Sequence, residues 1–527
     1  MSDTQPELLD PTSTPSASAT TAFTHQEARR VVLGLLVAIF LGGLEQTIVA
    51  VALPLMSADL SGVEYLAWVI SGYLIAMTVA TPIYGKLGDL YGRRLMLFSA
   101  IVIFLLSSVL CAVATTMPVM ILARVIQGVG GAGLLSVSQT IVGDIIAPRD
   151  RGRYQGYIST AFAIASVVGP VVGGLLTEYI SWRWIFWINV PLCILAYLTA
   201  RRALANLPIP QLKRQIDYLG ALWLTLGLAV LLIAISRVGH GVALAETLNI
   251  FLYVLAVVLL AIFVWQEKRA PDPIIPLMLL RNRTVAASSL MLFIAFVQMI
   301  GMTILIPLRL QMLTHAGADE AAVQLLPLSL SIPTGAWIAG LLMVKLGHYR
   351  QIQLAGSGLL PIALALTAYT PANGTLLVIL CTSLGGFGIG LLLPTSIVAA
   401  QNAVEHRHLG VATGVTSFAR SLGAALGIAV LTAVLFALLN QYTPAGLSLS
   451  VSAGDVIGEM VEGALQTAAL EERQALVEAG TLAFRHVFLL SAAIALPGVL
   501  ACLFAPDRRL SEKKPEMKSH SQKSRNP

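Results

Sequence analysis

Fourteen long apolar segments divide the chain and limit the folds that it can adopt. Most of them approach or exceed the roughly 20 residues that a helix needs to cross a bilayer. Of the 527 residues, 57% are hydrophobic and only 11% are charged, which leaves too little polar surface for a soluble globule. The sequence therefore predicts an all-α polytopic membrane protein with fourteen transmembrane helices, at about 31–56, 65–84, 95–115, 118–142, 155–177, 182–200, 217–236, 248–266, 285–313, 322–344, 351–369, 374–400, 410–438 and 484–505.

Basic residues between these segments indicate how the chain is oriented. If the N-terminus lies in the cytoplasm, most of the 33 Lys and Arg fall on the cytoplasmic side, including those of the basic tail at 507–527. Such a bias is typical of cytoplasmic loops. We therefore expect a multi-pass protein of the cell membrane with both termini cytoplasmic. The net charge of +6 is then a topology signal, and no nucleic-acid partner is expected.

Two regions outside the apolar segments have a composition of their own. Residues 1–28 are rich in Ser, Thr and Pro, which predicts a disordered cytoplasmic N-terminus. The extracytoplasmic connection 439–483 is acidic and shows an amphipathic pattern from about Ile457 to Leu476. That pattern predicts a short helix near the outer membrane surface, although a solvated loop with incidental helicity explains it equally well.

The chain also repeats itself. Gly128 and Gly131 match Gly385 and Gly388, which lie 257 positions later, and Lys86-Leu-Gly matches a second copy 259 positions later. Such an offset predicts two six-helix bundles with a pseudo-two-fold relation, at 29–203 and 271–506, separated by two inserted helices within 204–270. The repeat leaves out the charges, because Cys381 stands opposite Arg124 and the neutral region Met302–Ile304 stands opposite Glu45.

Arg124 lies inside an apolar segment, Met120–Val142. An arginine at mid-membrane costs roughly 2.5–3.5 kcal/mol on insertion scales, so it usually faces a wet cavity or a partner. The glycines that follow it form a helix face with almost no side chain, against which a neighbouring helix can pack closely. A charge on one face and a bare packing face on another suggest a transporter.

Glu45 is the matching acidic residue in the first segment. It lies about 16 Å from the outer end of its span and Arg124 about 9 Å from the end of its own, a difference that two long side chains can close. A nearby guanidinium favours the ionised carboxylate and burial favours the protonated one, so Glu45 and Arg124 are candidates for proton coupling. The alternative is a static ion pair that locks two helices together.

Other polar residues within the spans are candidates for a substrate cavity, although a hydrogen bond between helices explains each about as well. Arg309 and Arg420 lie near predicted span ends and either line the pathway or reach the interface. The cysteines show no CxxC spacing, so no disulfide framework, metal site or cofactor is expected. The candidate cavity residues are Gln46, Tyr73, Gln127, Gln298 and Gln311.

Four runs of residues resemble, in order, four signatures of the major facilitator superfamily. The run Trp182–Pro191, together with the fourteen spans, looks like the fourteen-helix drug:proton antiporter branch of that family. The resemblance covers roughly residues 30–505, and the family usually has Asp where this chain has Glu45. The four runs are Leu44–Pro54, Gly85–Arg94, the segment that begins at Arg124, and Val168–Gly174.

The resemblance implies roles for two of these motifs. Asp89 is expected to face the N-terminus of a helix of the other half that begins near Gly410, where the helix dipole stabilises a carboxylate; a loop that only determines topology is the alternative. In the other motif, proline is expected to interrupt the fifth helix and to accompany antiport. The gating motif comprises Gly85, Gly88, Asp89, Gly92, Arg93 and Arg94, and the antiporter motif comprises Gly169, Pro170, Gly173 and Gly174.

Taken together, these features predict a monomeric, proton-coupled antiporter that exports small, mostly hydrophobic compounds by alternating access. An exporter of one dedicated metabolite and a proton symporter remain open alternatives. A polytopic membrane enzyme is a weak alternative, because the sequence has no HExxH or GxSxG motif and its eight histidines are scattered.

Overall fold

The computed structural model describes residues 25–60, 65–146, 150–205, 217–239, 246–271, 273, 275, 277–314, 324–371, 374–405, 408–442, 470–507 and 509–510. Within these ranges the chain is helical, with short connections. The helices are α1 His25–Leu60, α2 Leu66–Tyr91, α3 Arg93–Ala112, α4 Met117–Ile145, α5 Arg151–Tyr179, α6 Trp184–Trp187, α7 Asn189–Ala203, α8 Tyr218–Gly239, α9 Thr247–Glu267, α10 Leu277–Arg281, α11 Arg283–Thr314, α12 Leu326–Leu346, α13 Arg350–Ala368, α14 Thr375–Asn402, α15 Leu409–Tyr442 and α16 Leu470–Phe504.

Thirteen spans in the described part of the chain are long and apolar enough to cross a membrane. The segment predicted at 182–200 corresponds to one of them, Trp184–Ala203, in which α6 and α7 meet at Ile188. The 29-residue α5 is not among the thirteen, so the number fourteen stays a prediction. The polytopic all-helical fold is confirmed.

Some predicted boundaries are wrong. Residues 25–28, predicted to be disordered, belong to α1, because the helix continues beyond the apolar segment into polar residues. The short α10 was not predicted. The rest of the predicted disordered terminus, 1–24, lies outside the described residues, as do 443–469 and 511–527; the described end of the predicted amphipathic stretch, from Leu470, belongs to α16.

Helix contacts recur in the two parts of the chain. In the first part α2 packs on α4, α1 on α5, α3 on α4 and α7 on α1. In the second part α12 packs on α14, α11 on α15, α13 on α14 and α16 on α11, which is the same pattern in the same order. Four of the five hydrophobic clusters in the described part draw residues from one of these sets alone. The predicted division into two bundles is consistent with this pattern.

The two sets of helices meet chiefly at two crossings, α2 with α15 and α5 with α12, and make smaller contacts between α4 and α15 and between α5 and α14. Both crossings bring main chains together. A Cβ atom added to Gly85 would lie 2.6 Å from the carbonyl oxygen of Gly410, and one added to Gly152 would lie 2.8 Å from that of Gly340. These glycines lie toward the same end of the molecule, where α2 and α12 end and α5 and α15 begin. The molecule is therefore closed at that end.

The two inserted helices, α8 and α9, have different surroundings. Leu224, Leu228 and Leu232 of α8 belong to a hydrophobic cluster with Val79 of α2 and Val415 of α15. In α9, by contrast, more than half of the surface of Phe251, Val254 and Val257 is exposed. The helix α9 thus has a broad face exposed on the surface of the helix bundle, whereas α8 packs on a helix from each set.

Candidate functional site

Close packing of α4 against its neighbours positions Arg124. A Cβ atom at Gly131 would lie 2.6 Å from the hydroxyl oxygen of Tyr73, and one at Gly130 would lie 2.7 Å from the backbone nitrogen of Phe104. Any larger residue at either glycine would push α4 away from α2 or α3. The glycine face predicted from the sequence is therefore used for packing, as bare helix faces in membranes usually are.

Arg124 and Glu45 form an ion pair that is closed off from solvent. The exposed fraction is 2% for the Arg124 side chain and 0% for that of Glu45, and Arg124 Nη1 donates to Glu45 Oε1. Arg124 Nη1 also donates to Gln127 Oε1 at 2.6 Å, and Arg124 Nε donates to the carbonyl oxygen of Val69 at 3.1 Å. The contact between the two side chains that the sequence predicted is present.

The second oxygen of the Glu45 carboxylate has a partner of its own. Asn189 Nδ2, in the first turn of α7, donates to Glu45 Oε2 at 2.8 Å and lies 3.3 Å from Ser108 Oγ. Gln127 Nε2 donates to the same serine oxygen at 2.8 Å, which closes the network. Four helices, α1, α3, α4 and α7, thus meet at one carboxylate.

Aromatic rings cover the guanidinium of Arg124. Its central carbon lies 4.4 Å from the ring centroid of Tyr73 and 6.0 Å from that of Phe186. Such cation–π contacts stabilise a charge most strongly where water is excluded. The Tyr73 hydroxyl is buried and has no hydrogen-bond partner among the described residues.

The enclosure of this network defines what it can do chemically. Removing one partner of a buried ion pair typically costs about 3–5 kcal/mol, because the other charge stays behind without compensation. Protonation of Glu45 has a similar effect, since it cancels the charge that Arg124 pairs with. A proton bound or released here therefore changes the contacts of α1 with α4 and α7.

A smaller cluster at the C-terminal end of α1 holds the chain that leads into α7. Asp59 accepts hydrogen bonds from Arg183 Nη1 at 2.5 Å and from Trp182 Nε1 at 3.0 Å. Arg183 Nη2 also donates to the carbonyl oxygen of Ala114 at 3.2 Å. These hydrogen bonds from Arg183 and Trp182 hold the pKa of Asp59 below its ordinary value. The connection between α5 and α6 is thereby fixed, and with it the start of α7.

Asp89 links the two sets of helices at the closed end. Its two carboxylate oxygens accept hydrogen bonds from the backbone N–H groups of Gly410, at 3.2 Å, and Val411, at 3.1 Å. Both groups lie in the first turn of α15, where the helix dipole favours a negative charge. The family resemblance implied this position of Asp89 at the start of the helix, and the structure places it there. Its gating role stays a prediction.

Arg93 and Gly92 of the gating motif support this contact, whereas Arg94 does not take part in it. Arg93 donates to Asp89 and, through Nε, to Asp144 Oδ2 at 2.9 Å. Gly92 joins α2 to α3 with a φ of 93°, a conformation that side chains disfavour. Arg94 lies apart from the carboxylates, with its guanidinium 5.6 Å from the ring centroid of Phe98.

The prediction that Gly169-Pro170 interrupts the fifth helix is wrong. The structure shows α5 as one continuous helix through both residues. Gly169 contacts the side chain of Thr47 so closely that no Cβ atom fits, and a Cβ atom at Gly173 would lie 2.8 Å from the carbonyl oxygen of Ile48. Because α1 packs against these glycines, the loss of one backbone hydrogen bond at proline does not break the helix.

Three of the five candidate cavity residues are buried. Gln127 belongs to the Glu45 network, Tyr73 lies under Arg124, and Gln298 Nε2 donates to the carbonyl oxygen of Ser491 at 2.9 Å. In this conformation they make contacts between helices and do not line an open cavity. Gln46 and Gln311 are half-buried, and Gln46 donates to the carbonyl oxygen of Gly42 on its own helix.

An open, largely apolar groove of about 510 Å³ lies between α12 and α14. It belongs to the second set of helices, away from the ion pair. The residues that line it are Pro327, Leu330, Ser331, Thr334, Leu380, Ser383, Leu384 and Phe387.

Sequence reasoning assigned no role to Asn189, Ser108 or Asp144. Asn189 belongs to one of the resembling runs, and its signal is an amide inside the apolar segment 182–200. Ser108 carries the weaker signal of a hydroxyl within a span, and Asp144 that of a carboxylate just beyond one. The described cysteines are buried and unpaired, and the described residues include no group of three or more His, Cys, Asp or Glu that could hold a metal ion.

A sequence model of the Major Facilitator Superfamily matches residues 35–428. The chain belongs to the Major Facilitator Superfamily. It is therefore a multi-pass membrane transporter and not an enzyme. Among solved structures, the proton:xylose symporter XylE has the same fold with a TM-score of 0.60 at 14% sequence identity, covering 93% of this chain and 98% of that one.

Curated relatives within this family include efflux proteins. The chain is 31% identical over 404 residues to Multidrug resistance protein 3 of Bacillus subtilis, covering 77% of this chain and 79% of the relative. It is 34% identical over 384 residues to a protein of Mycobacterium tuberculosis that is named an uncharacterized MFS-type transporter. That match covers 72% of this chain but only 55% of the relative's length.

Proposed function

We propose that the protein exports small, mostly hydrophobic compounds across the cell membrane in exchange for protons. The observation that carries this proposal is the enclosed contact of Glu45 with Arg124 and Asn189, which joins helices α1, α4 and α7 through one titratable group. Met302 and Cys381 stand at the equivalent positions of the second set, so an ion pair is not needed to hold such helices together. The fourteen-helix drug:proton antiporter branch is the part of the family that fits this function.

The exchange depends on two protonation states of Glu45. When ionised, the carboxylate binds Arg124 through one oxygen and Asn189 through the other. When protonated, it releases Arg124 and gains an O–H group that needs an acceptor. Asn189 Oδ1 is buried without a partner among the described residues, so a rotation of this amide supplies that acceptor. Asn189 can therefore serve both states.

Alternating access follows from the closed end of the molecule. With the N-terminus in the cytoplasm, the end at which α2 meets α15 and α5 meets α12 is cytoplasmic, and the conformation described is closed toward the cytoplasm. We propose that two six-helix bundles rock against each other, so that these crossings part when the cytoplasmic end opens. The apolar groove between α12 and α14 suits a hydrophobic substrate, and the relative named as a multidrug resistance protein supports export.

Reconstituted vesicles test the exchange. An imposed pH gradient should drive uptake of a fluorescent hydrophobic cation by the native protein, and Glu45→Gln should abolish that uptake while leaving substrate binding within about threefold. Glu45→Asp keeps the carboxylate and should retain activity. Met302→Leu, at the equivalent position of the second set, is the matched control and should transport normally. Full gradient-driven accumulation by Glu45→Gln would overturn the proposal.

A further inference from the structure

Arg420 lies deep within α15 and has no oxygen partner among the described residues. It follows Leu409, the first residue of the helix, by 11 positions, which corresponds to about 16 Å along the helix axis. This depth differs from the position near a span end that the sequence suggested. Arg124 pairs with Glu45, and Arg309 donates to the carbonyl oxygen of Thr370 at 2.6 Å. For Arg420 the described contact is with the ring of Phe296, 5.4 Å from the guanidinium carbon to the centroid.

The face of α15 that carries Arg420 is turned toward the first set of helices. Residues three or four positions apart share a helix face. One turn before Arg420, Ser417 Oγ lies 3.5 Å from Gln139 Oε1 of α4. One turn earlier still, Thr413 Oγ1 accepts a hydrogen bond from Gln401 Nε2 at 3.0 Å, and the same amide nitrogen lies 3.5 Å from the carbonyl oxygen of Gln139. These contacts form a polar layer where the two sets meet.

Arg420 therefore comes immediately beyond the closed seam, on the side away from Asp89. The residue is half-buried and keeps part of its surface accessible. A cation without a carboxylate partner among the described residues and the buried aromatic ring of Phe296 lie together at this point.

We propose that Arg420 binds the acidic group of an amphiphilic organic anion, whose apolar part packs against Phe296. A guanidinium presents paired donors that match a carboxylate in geometry as well as charge. The site names a substrate class for the exporter, and in that respect it rests on the proposed function. It also accounts for an arginine in a span that pairs with no carboxylate in the described part of the chain.

Three probes that share a pyrenebutyl group and differ in the charge of their head group test this site: pyrenebutyrate, pyrenebutanol and pyrenebutyl-trimethylammonium. Binding to the purified full-length protein is followed by energy transfer from tryptophan to pyrene. The native protein should bind pyrenebutyrate at least tenfold more tightly than pyrenebutanol. Arg420→Gln should remove this preference while changing pyrenebutanol affinity less than twofold, and Arg420→Lys should retain most of it.

Arg485→Gln is the matched control, because Arg485 also contacts an aromatic ring, that of Tyr369, but is exposed on α16. It should leave the preference intact. The proposal is overturned if Arg420→Gln keeps the preference for pyrenebutyrate. It is also overturned if Arg420→Gln weakens the binding of pyrenebutyrate and pyrenebutanol equally, which would indicate a packing role. It is also overturned if phosphatidylglycerol displaces pyrenebutyrate with equal potency, because the site would then hold a lipid headgroup.

Uptake of pyrenebutyrate under a pH gradient, with Glu45→Gln as the blank for passive distribution, separates this inference from the proposed function. Loss of gradient-driven uptake with an intact anion preference would refute proton exchange and leave the Arg420 site standing. Normal uptake with no anion preference would refute the Arg420 site alone.

Discussion

The contact between α1 and α4 and its counterpart between α11 and α14 have the same helix arrangement but different side chains: the first holds an ion pair and the second does not. In the first, Glu45 and Arg124 form a buried ion pair. In the second, Met302 packs on the bare face of α14, where a Cβ atom at Gly385 would lie 2.8 Å from the Met302 methyl carbon. Cys381, the sequence counterpart of Arg124, is also buried. Helix packing of this kind therefore needs no ion pair, which separates the stability of the fold from the chemistry of the first set.

The largest expected difference between these contacts concerns stability. Arg124→Gln leaves the Glu45 carboxylate buried without its cation, and should lower the free energy of unfolding in detergent by about 3–5 kcal/mol. Met302→Leu conserves volume at the equivalent contact and should cost less than about 1.5 kcal/mol. Adding Glu45→Gln to Arg124→Gln should restore much of the loss. Equal losses of unfolding free energy in Arg124→Gln and Met302→Leu would contradict this difference between the two contacts.

Two buried amides allow the next comparison. Asn189→Leu removes a donor to a carboxylate and should cost about 1.5–3 kcal/mol, whereas Gln298→Leu removes a donor to a neutral carbonyl and should cost about 0.5–1.5 kcal/mol. Denaturant titration measures both. In addition, Asn189→Leu should change the pH profile of transport and Gln298→Leu should leave it unaltered. A role for Asn189 in packing alone would be indicated by unchanged profiles in both variants.

Asp89 and its sequence counterpart His348 differ in the partner that each one binds. Asp89 contacts the start of α15 in the opposite set, while His348 Nδ1 lies 3.3 Å from Asp507, which follows α16 in its own set. Asp89→Asn should shift the equilibrium between the conformations closed and open at this end. The expected shift is about 0.3–1 kcal/mol, rising toward 2 kcal/mol for a partly buried charge. Distances between spin labels on α2 and α15 report that shift.

His348→Asn is the control for that experiment and should leave the label distances as they are. Lost transport by Asp89→Asn with native distance distributions would count against the gating role.

The smallest effect is expected in α9. Replacing Phe251, Val254 or Val257 with alanine should change stability by no more than about 0.5 kcal/mol and leave transport rate and pH dependence unaltered, because these side chains are exposed. A cysteine scan provides the stricter test. A continuous stripe on α9 that water-soluble thiol reagents label and that substrate protects would show that this helix lines the pathway.

Much of the fold followed from local properties of the sequence. Apolar length predicted the spans, and repeated glycines predicted the relation between α4 and α14. Glu45 and Arg124 could be paired because a charge in a span needs a partner and their depths were compatible. The position of Asp89 was expected from the family resemblance, and its hydrogen bonds to Gly410 and Val411 agree with that expectation.

Other features depend on tertiary contacts that no local pattern encodes. Asn189 lies 144 positions from Glu45, and its role is set by the way in which α7 packs on α1. The continuity of α5 through Pro170 depends on how closely α1 approaches Gly169 and Gly173. The candidate cavity residues were chosen by polarity, which does not distinguish a side chain that faces open space from one buried between helices.

The two crossings at the closed end have a consequence for how mutations act on the transport cycle. Since main chain meets main chain at Gly85 with Gly410 and at Gly152 with Gly340, these two contacts leave no room for even the smallest side chain. A single methyl group added at one of these glycines would act as a wedge, because the closed state has no room for it and the parted state does. The smallest substitution that chemistry offers would thereby hold the transporter open on one side, while the ion pair and the helices themselves stay intact.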